Sequence, residues 1–72
     1  MKYVILRTDV ETERMVRTLQ PVLSSRKGLY DWTVDIEDKD NVLRIVADDK
    51  VEESDIIHLL NQSGYLCEAL PD

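Results

Sequence analysis

The first third of the chain alternates between a strand pattern and a helix pattern. Residues 2–8 are mostly β-branched, aromatic or aliphatic, which predicts a first strand. Thr8 and Glu11 then have the spacing of a capping box, with Asp9 as a competing cap, so we expect a helix to begin here. Apolar residues at helical spacing form one stripe along it: Met15, Val16, Leu19, Val22 and Leu23.

Pro21 interrupts this helical pattern. A proline inside a helix lacks the backbone N–H and clashes with the carbonyl four residues earlier, here that of Arg17, at a cost of about 3 kcal/mol. We therefore expect the helix to kink at Pro21 or to finish in a looser turn. Gly28 supplies the left-handed residue that should end it.

The middle of the chain has the pattern of a β-hairpin. Polar residues alternate with a set of larger, mostly apolar side chains, namely Tyr30, Trp32, Val34 and Ile36, which is the clearest strand signal in the sequence. The polar stretch 38–41 predicts a turn, and residues 42–47 predict a third strand.

The last third predicts a second helix and a short final strand. Glu52, Glu53 and Asp55 crowd the start of the helix, where its dipole favours negative charge. The apolar face that follows consists of Ile56, Ile57, Leu59 and Leu60. Gly64 should end the helix, and residues 65–70 form a strand that Pro71 stops.

The element order is therefore strand, helix, strand, strand, helix, strand. Right-handed crossovers turn this order into a four-stranded antiparallel sheet with both helices on one face. The fold class is α+β, a ferredoxin-like βαββαβ sandwich, and residues 1–72 form a single domain. This fold hosts many unrelated activities, so function has to be argued from particular residues.

Composition narrows the classes of partner and compartment. Fifteen acidic and nine basic residues give a net charge of −6, and the basic residues are scattered, so nucleic acid is not an expected partner. Cys67 is the only cysteine and cannot form an internal disulfide, which indicates a reducing compartment, most simply the cytoplasm. No apolar run approaches the roughly 18 residues of a membrane span, so membrane insertion is not expected.

Two segments resemble the heavy-metal-associated domain family of copper chaperones and metal-pump N-terminal domains. Residues 28–36 are similar to that family's GV-x-x-V-x-V-D-L segment, and residues 56–65 to its I-x-x-A-I-x-x-A-G-Y segment. The resemblance covers nearly the whole chain. It implies the ferredoxin-like fold and, in the family, binding of a soft metal ion at a Met-x-Cys-x-x-Cys loop before the first helix.

That metal loop is degenerate here. Counting back from Gly28 without gaps places Val10, Thr12 and Met15 at the Met and the two Cys positions of the family's loop. Cu(I) and Zn(II) need thiolates, and a threonine hydroxyl with one thioether cannot replace them. The sequence therefore predicts no cofactor and no metal ion at this loop.

The remaining chemistry-bearing residues each have an alternative structural explanation. Met15 is a core filler or a remnant soft ligand, and Cys67 is a core residue or a reactive thiol. His58 has no partner at a fixed spacing and is expected at the surface. The acids near the first helix are explained by its dipole better than by a cation site: Asp9, Glu11 and Glu13. No nucleophile–base pair or glycine-rich phosphate loop is present, so the chain is not expected to be an enzyme.

The uncovered face of the sheet is the remaining candidate surface. Strand parity assigns one set of residues to the helix side: Trp32, Leu43, Ile45, Tyr65 and Cys67. A second set, joined by Ile5 or its neighbours, points away and is a candidate interface: Val42, Val46, Leu66 and Leu70. The alternative is that these are ordinary scattered surface residues.

These observations favour a non-enzymatic module that kept the metal-domain scaffold, lost its soft-metal site, and binds a protein partner or a second copy of itself. The main alternative is a domain for binding or trafficking Cu or Zn, with an unorthodox or partner-completed site. A third reading is a regulatory domain for a small ligand.

Overall fold

The computed structural model describes residues 1–70, and these form four strands and two helices in the predicted order. The elements are β1 (Lys2–Thr8), α1 (Glu13–Ser24), β2 (Leu29–Asp35), β3 (Val42–Ala47), α2 (Glu53–Gln62) and β4 (Cys67–Ala69). The strands form one sheet in the order β2-β3-β1-β4, and every neighbouring pair is antiparallel. The predicted ferredoxin-like fold is confirmed. Pro71, the expected stop of the last strand, lies outside the described residues.

One apolar core joins the helices to the sheet. Val4 and Leu6 of β1 pair with Ile45 and Leu43 of β3, and this strip of the sheet is completely covered. The helices contribute their stripe residues to the same cluster: Leu19, Leu23, Ile56 and Leu60. Val10 and Val51, from the two strand–helix connections, complete it. Neither helix within residues 1–70 has the length and apolar character needed to cross a bilayer.

Helix α1 begins and ends differently from the sequence prediction. The capping box between Thr8 and Glu11 is wrong, because Thr12 is the N-cap and α1 starts at Glu13. The helix continues through Pro21 and ends at Ser24, within one turn of the proline, and the Ser25 amide donates to the Pro21 carbonyl at 3.2 Å. Gly28, with φ of 91°, does not end the helix; it leads into β2, where Val51 leaves no room for a side chain.

A bulge changes the predicted face of Tyr30. The register of β2 with β3 shifts between Leu29 and Asp31. Leu29 pairs with Ala47 and Asp31 with Val46, so Tyr30 is the extra residue of the bulge. Tyr30 is consequently 57% exposed, whereas Trp32 and Val34 are half-buried against the core. Simple alternation placed Tyr30 with them and was wrong at this position.

Helix α2 has the predicted ends. At its start the Glu52 amide donates to the Asp55 carboxylate at 3.2 Å, and the Asp55 amide donates to the Glu52 carbonyl at 3.0 Å. Gly64, with φ of 93°, follows the helix, and the amides of Gly64 and Tyr65 donate to the carbonyls of Asn61 and Leu60, the pattern of a Schellman cap. Because Tyr65 is committed to this cap, β4 begins only at Cys67 and is shorter than the predicted strand 65–70.

Candidate functional site at the first loop

The first loop, residues 9–12 between β1 and α1, is the segment at which the sequence resemblance predicts the family's metal loop. Two hydrogen bonds attach it to Leu66, the residue just before β4. The Asp9 amide donates to the Leu66 carbonyl at 3.1 Å, and the Asp9 carboxylate accepts from the Leu66 amide at 3.0 Å. The Asp9 side chain therefore has a structural role in holding two distant segments together.

Thr8 attaches the same loop to the β2–β3 hairpin. Its amide donates to the Asp40 carbonyl at 3.1 Å, and its hydroxyl donates to the Asn41 carbonyl at 2.6 Å while accepting from the Val10 amide at 3.2 Å. With its amide nitrogen turned towards them, the Asn41 side chain donates to the carbonyls of Val10 and Asp38, each at 3.3 Å. Sequence reasoning missed this role of Thr8, and the only local signal for it was an Asn in the turn.

The side chains at positions 10, 12 and 15 all make contacts within the chain. Val10 is 1% exposed and belongs to the core. The Thr12 hydroxyl accepts a hydrogen bond from the Met15 amide at 3.1 Å and so caps α1. Met15 is half-buried and packs against the core cluster, the core-filling role expected of it. These three positions therefore carry a helix cap and two apolar side chains that pack in or against the core.

The loop's remaining acids do not assemble into a cation site. Glu11 and Glu13 are exposed, and Glu13 lies in the first turn of α1, where the helix dipole favours it. Within residues 1–70, no group of three or more His, Cys, Asp or Glu side chains is arranged to hold a metal ion.

Cys67 lies beside the first loop on β4. Its side chain is half-buried, packs against the core, and places Sγ 3.8 Å from the Ile57 carbonyl oxygen and 3.9 Å from Asn61 Oδ1. Burial, followed by the nearby negative charge of Asp9, raises the pKa of the Cys67 thiol. A raised pKa keeps the sulfur protonated, so it is a weak nucleophile and a weak metal ligand.

His58 is exposed on α2. It lines a shallow groove with the Arg26–Asp55 ion pair, whose charged atoms are 3.4 Å apart. An exposed pair of this kind contributes little to stability. His58 is at the surface, as predicted.

The open sheet face is mixed in character rather than uniformly apolar. Strand register places Tyr3 and Ile5 of β1 beside Val46 and Arg44 of β3. The Arg7 guanidinium contacts the Asp40 carboxylate at 3.2 Å and that of Glu68 at 2.8 Å, which brings a charged cluster onto one corner.

Exposure divides the four predicted interface residues. Leu66 is 72% exposed, and Tyr3, which the sequence did not single out, is 76% exposed. Val46 and Leu70 are half-buried. Val42 is only 6% exposed and offers almost no surface to a partner. Its assignment to the candidate interface was therefore wrong.

Comparison with known proteins yields structural matches only. No protein-family model matches the chain, and no curated protein sequence matches it. A chain in the Atx1–Cu(I)–Ccc2a complex superposes with a TM-score of 0.82 at 22% identity, over 100% of this chain and 99% of that one. A copper-binding domain from the P-type ATPase HMA7 gives 0.82 at 20%, over 99% and 96%. Oxidized MerP from Ralstonia metallidurans gives 0.81 at 17%, over 97% of both chains.

The chain has the fold of heavy-metal-associated domains. At these identities the likeness extends to the fold and not to the site. The fold resemblance implied by residues 28–36 and 56–65 is therefore confirmed.

Proposed function

We propose that this chain is a non-enzymatic protein-interaction module built on the heavy-metal-associated scaffold, without the soft-metal site at the first loop. The observation that carries the proposal is the internal use of Val10, Thr12 and Met15. A hydroxyl that caps a helix and a thioether packed against a core do not supply the anionic sulfur that Cu(I) or Zn(II) requires.

The open sheet face supports the interaction half of the proposal. Leu66 and Tyr3 are large side chains with most of their surface in water, and half-buried Ile5, Val46 and Leu70 lie on the same face. Burying such side chains stabilises a complex by about 25 cal/mol for each Å² removed from water. The rim around them is charged through Arg7 and Glu68, as interface rims commonly are.

The interaction half is tested with Leu66→Asp. We expect Leu66→Asp to abolish the self-association that light scattering detects for the wild-type protein, or the binding of a partner that the wild-type protein captures. Its circular dichroism should stay unchanged because Leu66 is exposed. Gln20→Asp, at an exposed position of α1, is the matched control and should behave as the wild type. Equal association by all three proteins would contradict an interface at this face.

The second candidate function is binding or trafficking of a heavy metal through ligands that a partner completes. It is favoured by the structural neighbours, which include a Cu(I) complex of two proteins and a copper-binding domain. Titrations with Cu(I), Zn(II) and Ni(II), alone and with a captured partner, separate the two functions. Saturable one-to-one binding that appears only with the partner would establish the second function in place of the first.

A further inference from the structure

Strand β2 is an unpartnered edge of the sheet, because it pairs only with β3. It is seven residues long, whereas the other edge strand, β4, has three residues. Alternate residues of an antiparallel strand direct their N–H and C=O groups away from the neighbouring strand, so Trp32 and Val34, two residues apart, share the same orientation. The Trp32 amide donates to the carboxylate of its neighbour Asp31 at 2.9 Å rather than to β3. The backbone N–H and C=O groups of Trp32 and Val34 therefore face the open edge of the sheet.

The β2 edge carries negative charge only. Residues 29–38 contain acids and no lysine or arginine, the acids being Asp31, Asp35, Glu37 and Asp38. Asp31, Thr33 and Asp35 are all exposed, while Trp32 and Val34 are half-buried on the helix side. The strand therefore offers alternating carboxylates on one face and apolar side chains on the other.

This pattern argues against pairing of β2 with a second copy of itself. An antiparallel pair centred on Thr33 sets Asp31 directly opposite Asp35 of the second copy, and one centred on Val34 sets Asp31 opposite Glu37. Like charges directly opposite each other destabilise a strand pair. A pair centred on Trp32 brings the bulge at Tyr30 into the ladder, where regular hydrogen bonding is lost.

We infer that the β2 edge binds an extended, basic peptide segment by strand addition. Lysine or arginine at alternate positions of the segment would lie beside Asp31 and Asp35, and apolar residues between them would lie beside Trp32 and Val34. A cation paired with Asp31 releases the Trp32 amide, which then donates to a carbonyl of the incoming strand. The inference rests on the proposed function, because it names the class of partner for one part of the module.

The test is a titration followed by amide NMR at low salt. The probe is a blocked seven-residue peptide that alternates lysine with valine. We expect saturable shifts and slowed hydrogen exchange centred on the Trp32 and Val34 amides. A peptide that alternates glutamate with valine, and a lysine–valine peptide with proline at its centre, should produce neither.

Matched charge variants separate edge binding from general attraction to an acidic protein. Asp31→Asn with Asp35→Asn should weaken binding about two- to five-fold for each carboxylate removed. Asp49→Asn with Glu53→Gln removes the same charge from exposed positions outside β2 and should leave the affinity nearly unchanged.

Three results would overturn the inference: no saturable shift at millimolar peptide, shifts centred outside β2, or equal weakening by both double variants. Such a result would leave the proposed function standing, because the effect of Leu66→Asp on association tests the open sheet face separately. Loss of the Leu66 effect with intact edge binding would instead count against the sheet-face interface alone.

Discussion

Restoring thiolates to the first loop should convert this chain into a soft-metal binder. The variant is Thr12→Cys with Met15→Cys. Position 12 is the N-cap of α1, and its side chain already lies 3.1 Å from the amide of residue 15, so both sulfurs would lie in the first turn of the helix. A helix N-terminus lowers the pKa of cysteine and favours the thiolate that Cu(I) binds.

The double substitution lowers the stability of the metal-free protein in two ways. Losing the Thr12 cap removes about 1 kcal/mol of stability. Shortening the half-buried Met15 side chain removes about one buried CH₂ equivalent, about 0.8 kcal/mol. At about 4–8 °C for each kcal/mol in a domain of this size, the metal-free variant should melt about 7–14 °C below the wild type.

Metal binding should more than reverse that loss. A ligand present at about 1,000 times its Kd stabilises the folded state by about 4.1 kcal/mol. Thermal melts with and without Cu(I) under reducing conditions should therefore show the variant rising above the wild type, whose Tm stays unchanged.

The matched control for this experiment carries cysteines at Arg14 and Arg17. These exposed positions of α1 have the same spacing but lie beyond the helix cap. We expect weaker Cu(I) binding by this control. A folded Thr12→Cys, Met15→Cys protein that binds Cu(I) no better than the control would refute the equivalence of the first loop to the family's metal loop.

Three further predictions concern residues away from the metal-loop positions. Pro21→Ala should raise the free energy of unfolding by up to about 3 kcal/mol in urea titrations, since it restores an N–H and removes a clash inside α1; no gain would mean that the helix already relieves both. The Cys67 thiol should react slowly with a disulfide reagent because its pKa is raised. Asp9→Asn should speed the reaction, since the negative charge of Asp9 is one cause of the raised pKa of Cys67. An unchanged rate would assign the raised pKa to burial alone. A hydrogen bond to Asp48 raises the pKa of Tyr30, so the stability this bond confers is complete below the ordinary tyrosine pKa and is lost as pH rises through the folded one; Tyr30→Phe should flatten the stability profile above about pH 10, and parallel profiles would contradict this.

The regular elements of this fold follow from patterns that are local in the chain. Two-residue alternation located β2 and β3, helical spacing located α1 and α2, and the acids around Glu52 marked the start of α2 because dipole and capping effects act within one turn. Gly64 ended α2 for an equally local reason, its left-handed backbone.

The errors fall where a distant segment decides the local structure. Thr8, Asp9 and Thr12 all have side chains that can cap a helix, and only the bonds from Thr8 to Asn41 and from Asp9 to Leu66 leave Thr12 as the cap. The bulge at Tyr30 likewise depends on the register of β2 with β3. None of these contacts has a signature in a window of a few residues.

The equivalence of Val10, Thr12 and Met15 to the family's metal loop stays a prediction from the sequence resemblance. That each side chain is occupied internally, one in the core, one as a cap and one against the core cluster, required the three-dimensional arrangement.

The absence of a soft-metal site is tested by a Cu(I) titration of the purified wild-type chain in competition with a chromogenic Cu(I) chelator. We predict that the chelator keeps its metal, with no saturable one-to-one transfer to the protein. Stoichiometric transfer that is abolished by Met15→Leu or Thr12→Ala would contradict it, because the first loop would then hold a soft metal without a thiolate.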